Sequence, residues 1–138
     1  MAESRYEVVP VGRVKSPLTE MAQAPMQADE GAPPAWLIFE AGVGDAIRDL
    51  RPETEIIVLT WLDRADRNVL RTIPSGVPRN PMTGVFSTRS PDRPNPIGLH
   101  RAKILGIADS RWIQVDGLEA IDGTPVIDIK PVLERKDF

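Results

Sequence analysis

The chain contains no cysteine. That absence removes disulfides, thiolate zinc sites and a cysteine nucleophile together. There is a single histidine, His100, so a histidine-based metal site is not expected and no metal is assigned. No stretch approaches the ~20 apolar residues of a membrane span. The opening "MAESRYEVV" has no apolar signal core, so export is not expected. Neither G-x-G-x-x-G nor G-x-x-x-x-G-K-[ST] occurs, which leaves Rossmann and P-loop sites unsupported. The G-x-S-x-G elbow of a serine hydrolase is missing too. Ser90, His100 and Asp122 could be drawn together as a triad, but a chain with one histidine yields such sets by chance. What remains reads as a cytoplasmic protein of one domain, 1–138, whose 41% hydrophobic residues suffice for a core.

Proline is abundant instead. Its 14 residues are about twice an average share, spread through loops rather than gathered in a tail. Charge is uneven as well. Between Arg64 and Lys103 there are eight basic residues (64, 67, 71, 79, 89, 93, 101 and 103) against Asp66 and Asp92. That window carries +6 within a net charge of −3, so the rest carries −9. Segregation of this kind can focus an anionic partner onto one face; a solvated arginine surface is the plainer alternative.

Short strands dominate the pattern. Strands are expected at 6–14, 36–40, 54–62, 85–89, 97–109 and 111–118, the third buried on both faces. A helix is expected at 44–50, with Ile47 and Leu50 on one side. Two long loops, 16–35 and 63–84, separate these elements, and loops of that length are usually functional or disordered. A tight turn is expected near Asp109-Ser110. An Asp-Gly turn at 122–123 then leads into alternation of Val126, Asp128 and Lys130 against Ile127 and Ile129. Asp128 and Lys130 share a face and can pair with each other or with an arginine of the 87–101 loop. The fold class is therefore mainly β: a small barrel with long ordered loops and one or two short helices.

The stretch "STRSPDRPNPIGLHR" (87–101) concentrates the chemistry. Pro91, Pro94 and Pro96 restrict it to a stiff, extended course. Such a loop presents Arg89 and its neighbours as a preformed site. Asn95, held between two prolines, is expected to keep its side chain available. His100 lies in an apolar strand, where a packing histidine is at least as common as a catalytic one.

"GVFSTRSPDRPNPIGLHRAKI" (84–104), followed by "DGTPVIDIKP" (122–131), resembles the TsaA-like, or TrmO, family of S-adenosylmethionine-dependent methyltransferases. Its members are typified by enzymes acting on threonylcarbamoyladenosine next to the tRNA anticodon. Weaker likeness runs through "VGRVKSP" (11–17) and "EIIVLTWL" (55–62). The resemblance covers the catalytic domain alone; larger members carry a C-terminal extension. It implies a non-Rossmann β-barrel, a homodimer and S-adenosylmethionine as cofactor. By position it implies cofactor contacts from Arg89, Leu99 and the segment Asp116, Gly117, Leu118 and Glu119. It also points to Pro25, Met26 and Gln27, where relatives show "PRQ", and to Asp63 and Arg64, where they show "HQ". Carboxylates such as Asp116 and Glu119 suit ribose hydroxyls and an amino group.

Arg93, Asn95 and Lys130 are the expected substrate contacts, Arg93 through a phosphate or a carboxylate. The basic window then becomes a tRNA-facing stripe. Asp122 and His100 are the candidates for taking up the acceptor's proton, although Asp in an Asp-Gly turn is first of all turn chemistry. A methyltransferase with another acceptor, and a cofactor-binding protein without catalysis, remain alternatives.

Overall fold

A computed structural model of the protein describes residues 3–17, 33–74 and 77–133. Its strands are β1 (Gly12–Lys15), β2 (Ala35–Phe39), β3 (Glu55–Trp61), β4 (Arg71–Thr72), β5 (Thr83–Gly84), β6 (Ile97–Ala108), β7 (Trp112–Asp116) and β8 (Pro125–Pro131). One short helix, α1 (Gly44–Ile47), follows a 3-10 turn at Ala41–Val43. Six strands close into a barrel in the order β1-β2-β7-β6-β3-β8, while β4 and β5 form a separate hairpin. Every pairing is antiparallel. The closing seam is short: Gly12 faces Val126 and Arg13 faces Pro125. Val11 N–H to Val126 O at 2.8 Å and Val14 N–H to Thr124 O at 2.9 Å extend it. Closure pairs each of the six barrel strands on both sides, removing the two free edges that an open sheet of them would present.

The barrel follows from period-two burial. Along β3, Ile56, Val58 and Thr60 turn inward; along β6, Gly98, His100, Ala102 and Ile104 do. Leu37, Phe39, Ile113, Val115 and Val126 complete the filling, each 2% exposed or less.

Several expectations are corrected. The strand expected at 6–14 begins only at Gly12, because β2 supplies partners for 12–15 alone. Residues 54–62 were expected to be buried on both faces; β3 is buried on one, and its outer residues are half-buried. Residues 85–89 form a 3-10 turn at Val85–Ser87 rather than a strand, and the loop expected at 63–84 contains the β4–β5 hairpin. The helix expected at 44–50 stops at Ile47. The strict alternation expected in β8 is broken by a bulge. Leu59 faces Asp128, but the next residue, Thr60, faces Val126. The extra residue, Ile127, resets the phase, so Val126 points inward while Asp128 and Lys130 stay outside. At the expected tight turn, Asp109 (φ 50°) and Ser110 (φ 55°) are both left-handed, as a two-residue hairpin of this type requires.

Up-and-down order sorts the connections between two ends. The β1–β2, β3–β6 and β7–β8 connections lie at one end, the mouth. The β2–β3 connection and the β6–β7 hairpin lie at the far end.

Candidate functional site

Every segment expected to contact a cofactor belongs to one of the three mouth connections or to the strand ends beside them. Pro25, Met26 and Gln27 fall in the β1–β2 connection and lie outside the described residues. Asp63, Arg64 and Arg89 are in the β3–β6 connection. Gly117, Leu118 and Glu119 follow β7.

The mouth ends in a buried polar rung. His100 is 6% exposed. Its Nε2 lies 2.8 Å from Thr60 Oγ1, and its Nδ1 lies 3.0 Å from Glu119 Oε1. The register explains the first contact. Thr60 faces Gly98 across the β3–β6 pair, so His100 is its diagonal neighbour and within reach of a long side chain. Gly98 makes room for it, since a Cβ there would stand 2.8 Å from His100 Nε2 and 3.3 Å from Leu62 Cδ2. Glu119 Oε2, also buried, has no hydrogen-bond partner among the described residues. A buried acceptor without a donor is costly, so this oxygen marks where an O–H or N–H of a ligand would be stabilised.

The loops of the mouth are laced together. Arg67 donates from Nε to Pro94 O (2.7 Å) and from Nη2 to Asn95 Oδ1 (2.9 Å), with its guanidinium 5.2 Å from the Trp61 ring centre. Asp66 N–H donates to Asp92 Oδ1 at 2.8 Å, and Leu62 N–H to Pro96 O at 2.8 Å. Asn95 was expected to offer a free side chain, but its carbonyl oxygen is engaged by Arg67. Arg93 donates from Nε to Ser90 O (2.7 Å) and from Nη2 to Val85 O (2.8 Å) and Thr88 O (2.6 Å). Its guanidinium thereby staples the loop. Arg89 is exposed and has no polar partner among the described residues.

The other expected residues differ in the face they present. Leu99 is half exposed on the outer face of β6, opposite Leu59. Asp128 is the other neighbour of Leu59, and it holds Lys130 at 3.0 Å, so Lys130 shares that outer face. Asp116 is exposed and faces Lys103 across the β6–β7 pair. The Lys103 ammonium is raised above its ordinary pKa, first by its hydrogen bond and charge pairing with Glu53 and to a lesser extent by Asp116 and Glu55. Gly117 takes a left-handed turn (φ 90°), after which Leu118 is wholly buried and Glu119 reaches His100. Asp122 accepts Ser16 N–H at 3.0 Å through Oδ1, where the first long loop begins. Among the described residues, no cluster of three His, Asp or Glu could hold a metal, and no helix is long and apolar enough to cross a membrane.

Thr60, Gly98 and Arg67 were not identified from sequence. Thr60 had a signal: it is the polar residue in the inward row Ile56, Val58, Thr60. Arg67 had none, because its partners are 27 and 28 residues away.

Comparison with known proteins covers the same ground. Residues 13–138 match the family model for the tRNA-methyltransferase O N-terminal domain. A relative from Methanothermobacter thermautotrophicus, named "Probable S-adenosyl-L-methionine-binding protein", is 40% identical over 137 residues, spanning 99% of this chain and 97% of that one. An "S-adenosyl-L-methionine-binding protein" from Archaeoglobus fulgidus is 41% identical over 121 residues, 88% of this chain and 85% of its own. The crystal structure of TrmO from Pseudomonas aeruginosa superposes with a TM-score of 0.77 at 26% identity. That match takes in 97% of this chain but only 59% of the TrmO chain. With the family model matching nearly all of its length, the chain belongs to the tRNA-methyltransferase O N-terminal domain family.

Proposed function

We propose that the chain, acting as one domain, is an S-adenosylmethionine-dependent methyltransferase whose acceptor is threonylcarbamoyladenosine beside the anticodon of tRNA. The observation that carries this reading is Glu119 Oε2, a buried acceptor at the mouth end of the barrel that has no donor among the described residues. S-adenosylmethionine has ribose hydroxyls and an adenine amino group that donate to such an oxygen, so the residues present fit it. Glu119 and its neighbours from Asp116 onward, Arg89, Leu99, Asp63, Arg64 and the 25–27 stretch are the residues proposed to hold it.

When bound, the cofactor supplies a methyl group on a sulfonium, an electrophile that needs no further activation. The chain's own work is to bind, to orient and to accept a proton. Arg93 and Arg67 hold the mouth loops rigid, which lowers the entropy lost on binding. Arg89 offers its guanidinium fork to a carboxylate or phosphate. Arg64, Arg71 and Arg79 extend the basic window toward an RNA backbone. Asp122 is the group proposed to take up the acceptor's proton, since both ring nitrogens of His100 are already engaged. The exposed apolar residues Ile97 and Leu99 at the mouth end of β6 are proposed as part of the contact of a homodimer. The reaction is placed in the cytoplasm, with its tRNA substrate.

A second reading, a binding protein without transfer, is favoured by the names of the two archaeal relatives, which mention binding alone. Calorimetric titration with S-adenosylmethionine, on the wild type and on Arg89→Ala, separates these readings when combined with transfer of labelled methyl to bulk tRNA. Binding weakened in the variant, with label in tRNA, supports the enzyme. Binding without label supports the second reading, and no binding sinks both.

A further inference from the structure

We propose that His100 is a positioning residue: clamped by Thr60, it fixes the Glu119 carboxylate so that Oε2 faces the ligand as a dedicated acceptor for an O–H or N–H donor. This inference rests on the cofactor reading above.

The proton inventory sets the direction of the chain of bonds. An ionised carboxylate can only accept, so the 3.0 Å contact with Glu119 Oε1 requires a proton on His100 Nδ1. In the neutral ring Nε2 is then bare, and the Thr60 hydroxyl donates to it across 2.8 Å. The order is Thr60 O–H to Nε2, then Nδ1–H to Oε1. Each link is enclosed: Thr60 is fully buried, His100 is 6% exposed, and the Glu119 side chain is 21% exposed. The relay uses one carboxylate oxygen and leaves the other, also buried, with no donor among the described residues.

Gly98 is the permissive element. A Cβ there would press on both Thr60 Oγ1 and His100 Nε2. The hydrogen bond to His100 holds the Glu119 carboxylate through Oε1, which leaves Oε2 as its remaining acceptor. A ligand donor placed there completes the network, and a ligand lacking it leaves a buried charge half-solvated.

Three measurements test this. First, calorimetry with S-adenosylmethionine on Glu119→Ala, His100→Leu and the double variant: each single change should weaken binding about tenfold to a hundredfold, as loss of a hydrogen bond to a charged group does. The double variant should be no weaker than Glu119→Ala, because His100 acts through Glu119. Second, His100→Asn, whose amide can donate in place of Nδ1, should recover part of the loss. Thermal unfolding of the same variants shows that they fold. Third, the imidazole nitrogen spectrum, unambiguous with one histidine, should show Nδ1 protonated in the wild type and lose that preference in Glu119→Ala.

Additive losses, wild-type binding by His100→Leu, or a ring protonated on Nε2 alone would each overturn the relay. A wild type that binds no S-adenosylmethionine while its histidine shows the expected tautomer would overturn the cofactor reading, and with it the role of Oε2 toward that ligand.

Discussion

The two ends of the barrel use the same strands to opposite effect. From the far end, the inward row of β3 runs Ile56, Val58, Thr60, and that of β6 runs Ile104, Ala102, His100, Gly98. The inward rungs toward the far end, Ile56, Ala102 and Ile104, are all apolar. At the mouth, the last rung is a threonine, a histidine and a glycine, joined by Glu119 from the β7–β8 connection. Polar groups elsewhere differ in the same sense. At the far end they satisfy one another: Arg101 pairs with Glu55, Lys103 with Glu53 at 2.9 Å, and Arg51 donates to the Arg48 and Leu50 carbonyls at 3.0 Å. At the mouth, Glu119 Oε2 is buried without a donor and Arg89 is exposed without a polar partner among the described residues. The far end also has a groove of about 530 Å³, lined by Leu50, Arg51, Ile56, Arg101 and Pro131. The unsatisfied chemistry lies at the mouth instead.

If the far rungs provide stability and the mouth rung provides chemistry, substitutions should separate the two. The largest effect is expected from Ile104→Ala. Ile104 is wholly buried, and truncation of such a side chain costs about 2–5 kcal/mol. Urea unfolding should show the loss, while ligand affinity of the folded fraction stays unchanged. An affinity loss of the same size would mean that the two ends are one unit.

Gly98→Ala asks the converse question. The added methyl must displace Thr60 or His100, and overpacking of this kind costs about 1–3 kcal/mol. Here affinity for S-adenosylmethionine should fall by more than the stability change accounts for, because the relay is what moves. Equal affinity in a destabilised Gly98→Ala would show that the rung is ordinary packing.

Asp122→Asn is gentler. Asparagine keeps the oxygen that accepts Ser16 N–H, so stability and cofactor binding should hold. Labelled-methyl transfer should drop on the order of a hundredfold, the low end for a positioned general base. Transfer at the wild-type rate would return Asp122 to turn chemistry alone.

These expectations also show what could be read from residues in order. The strands β3 and β6 were legible as strands, and so was the Asp109-Ser110 turn, but the inward row of β3 was not, because 54–62 read as buried on both faces. The β8 bulge was not: nothing in "PVIDIKP" reveals the extra residue until β3 imposes its register. "VFSTR" has the composition of a strand, yet Val85 and Phe86 turn because Val85 N–H is held by Leu70 O at 3.0 Å. Asn95 illustrates the limit at the site. The flanking prolines correctly imply stiffness, but not that Arg67, from another loop, would occupy its side chain. His100 and Glu119 were each singled out from sequence. Their contact, 19 residues apart, depends on Gly117 turning the chain so that Leu118 enters the core and Glu119 follows.

The smallest effect belongs to the far end and to pH. Lys103 is raised above its ordinary 10.5, chiefly by its hydrogen bond and charge interaction with Glu53. A lysine whose folded pKa exceeds its unfolded one stabilises the fold below the unfolded value, and that contribution disappears as pH rises through the folded one. Glu53→Gln should therefore lower the urea midpoint slightly at pH 8, and the gap to wild type should close above pH about 10.5 as the ammonium is lost. The pair is exposed and screened, so added salt should shrink the gap at pH 8 too. Glu53 sits at φ 73°, a strain that glutamine shares, which leaves the lost charge as the difference between the two proteins. A gap unchanged from pH 8 to pH 11 would show that Glu53 supports the β2–β3 connection through its backbone, with Lys103 a bystander. In neither case should affinity at the mouth change, because Glu53 and Lys103 belong to the end whose charges are already satisfied.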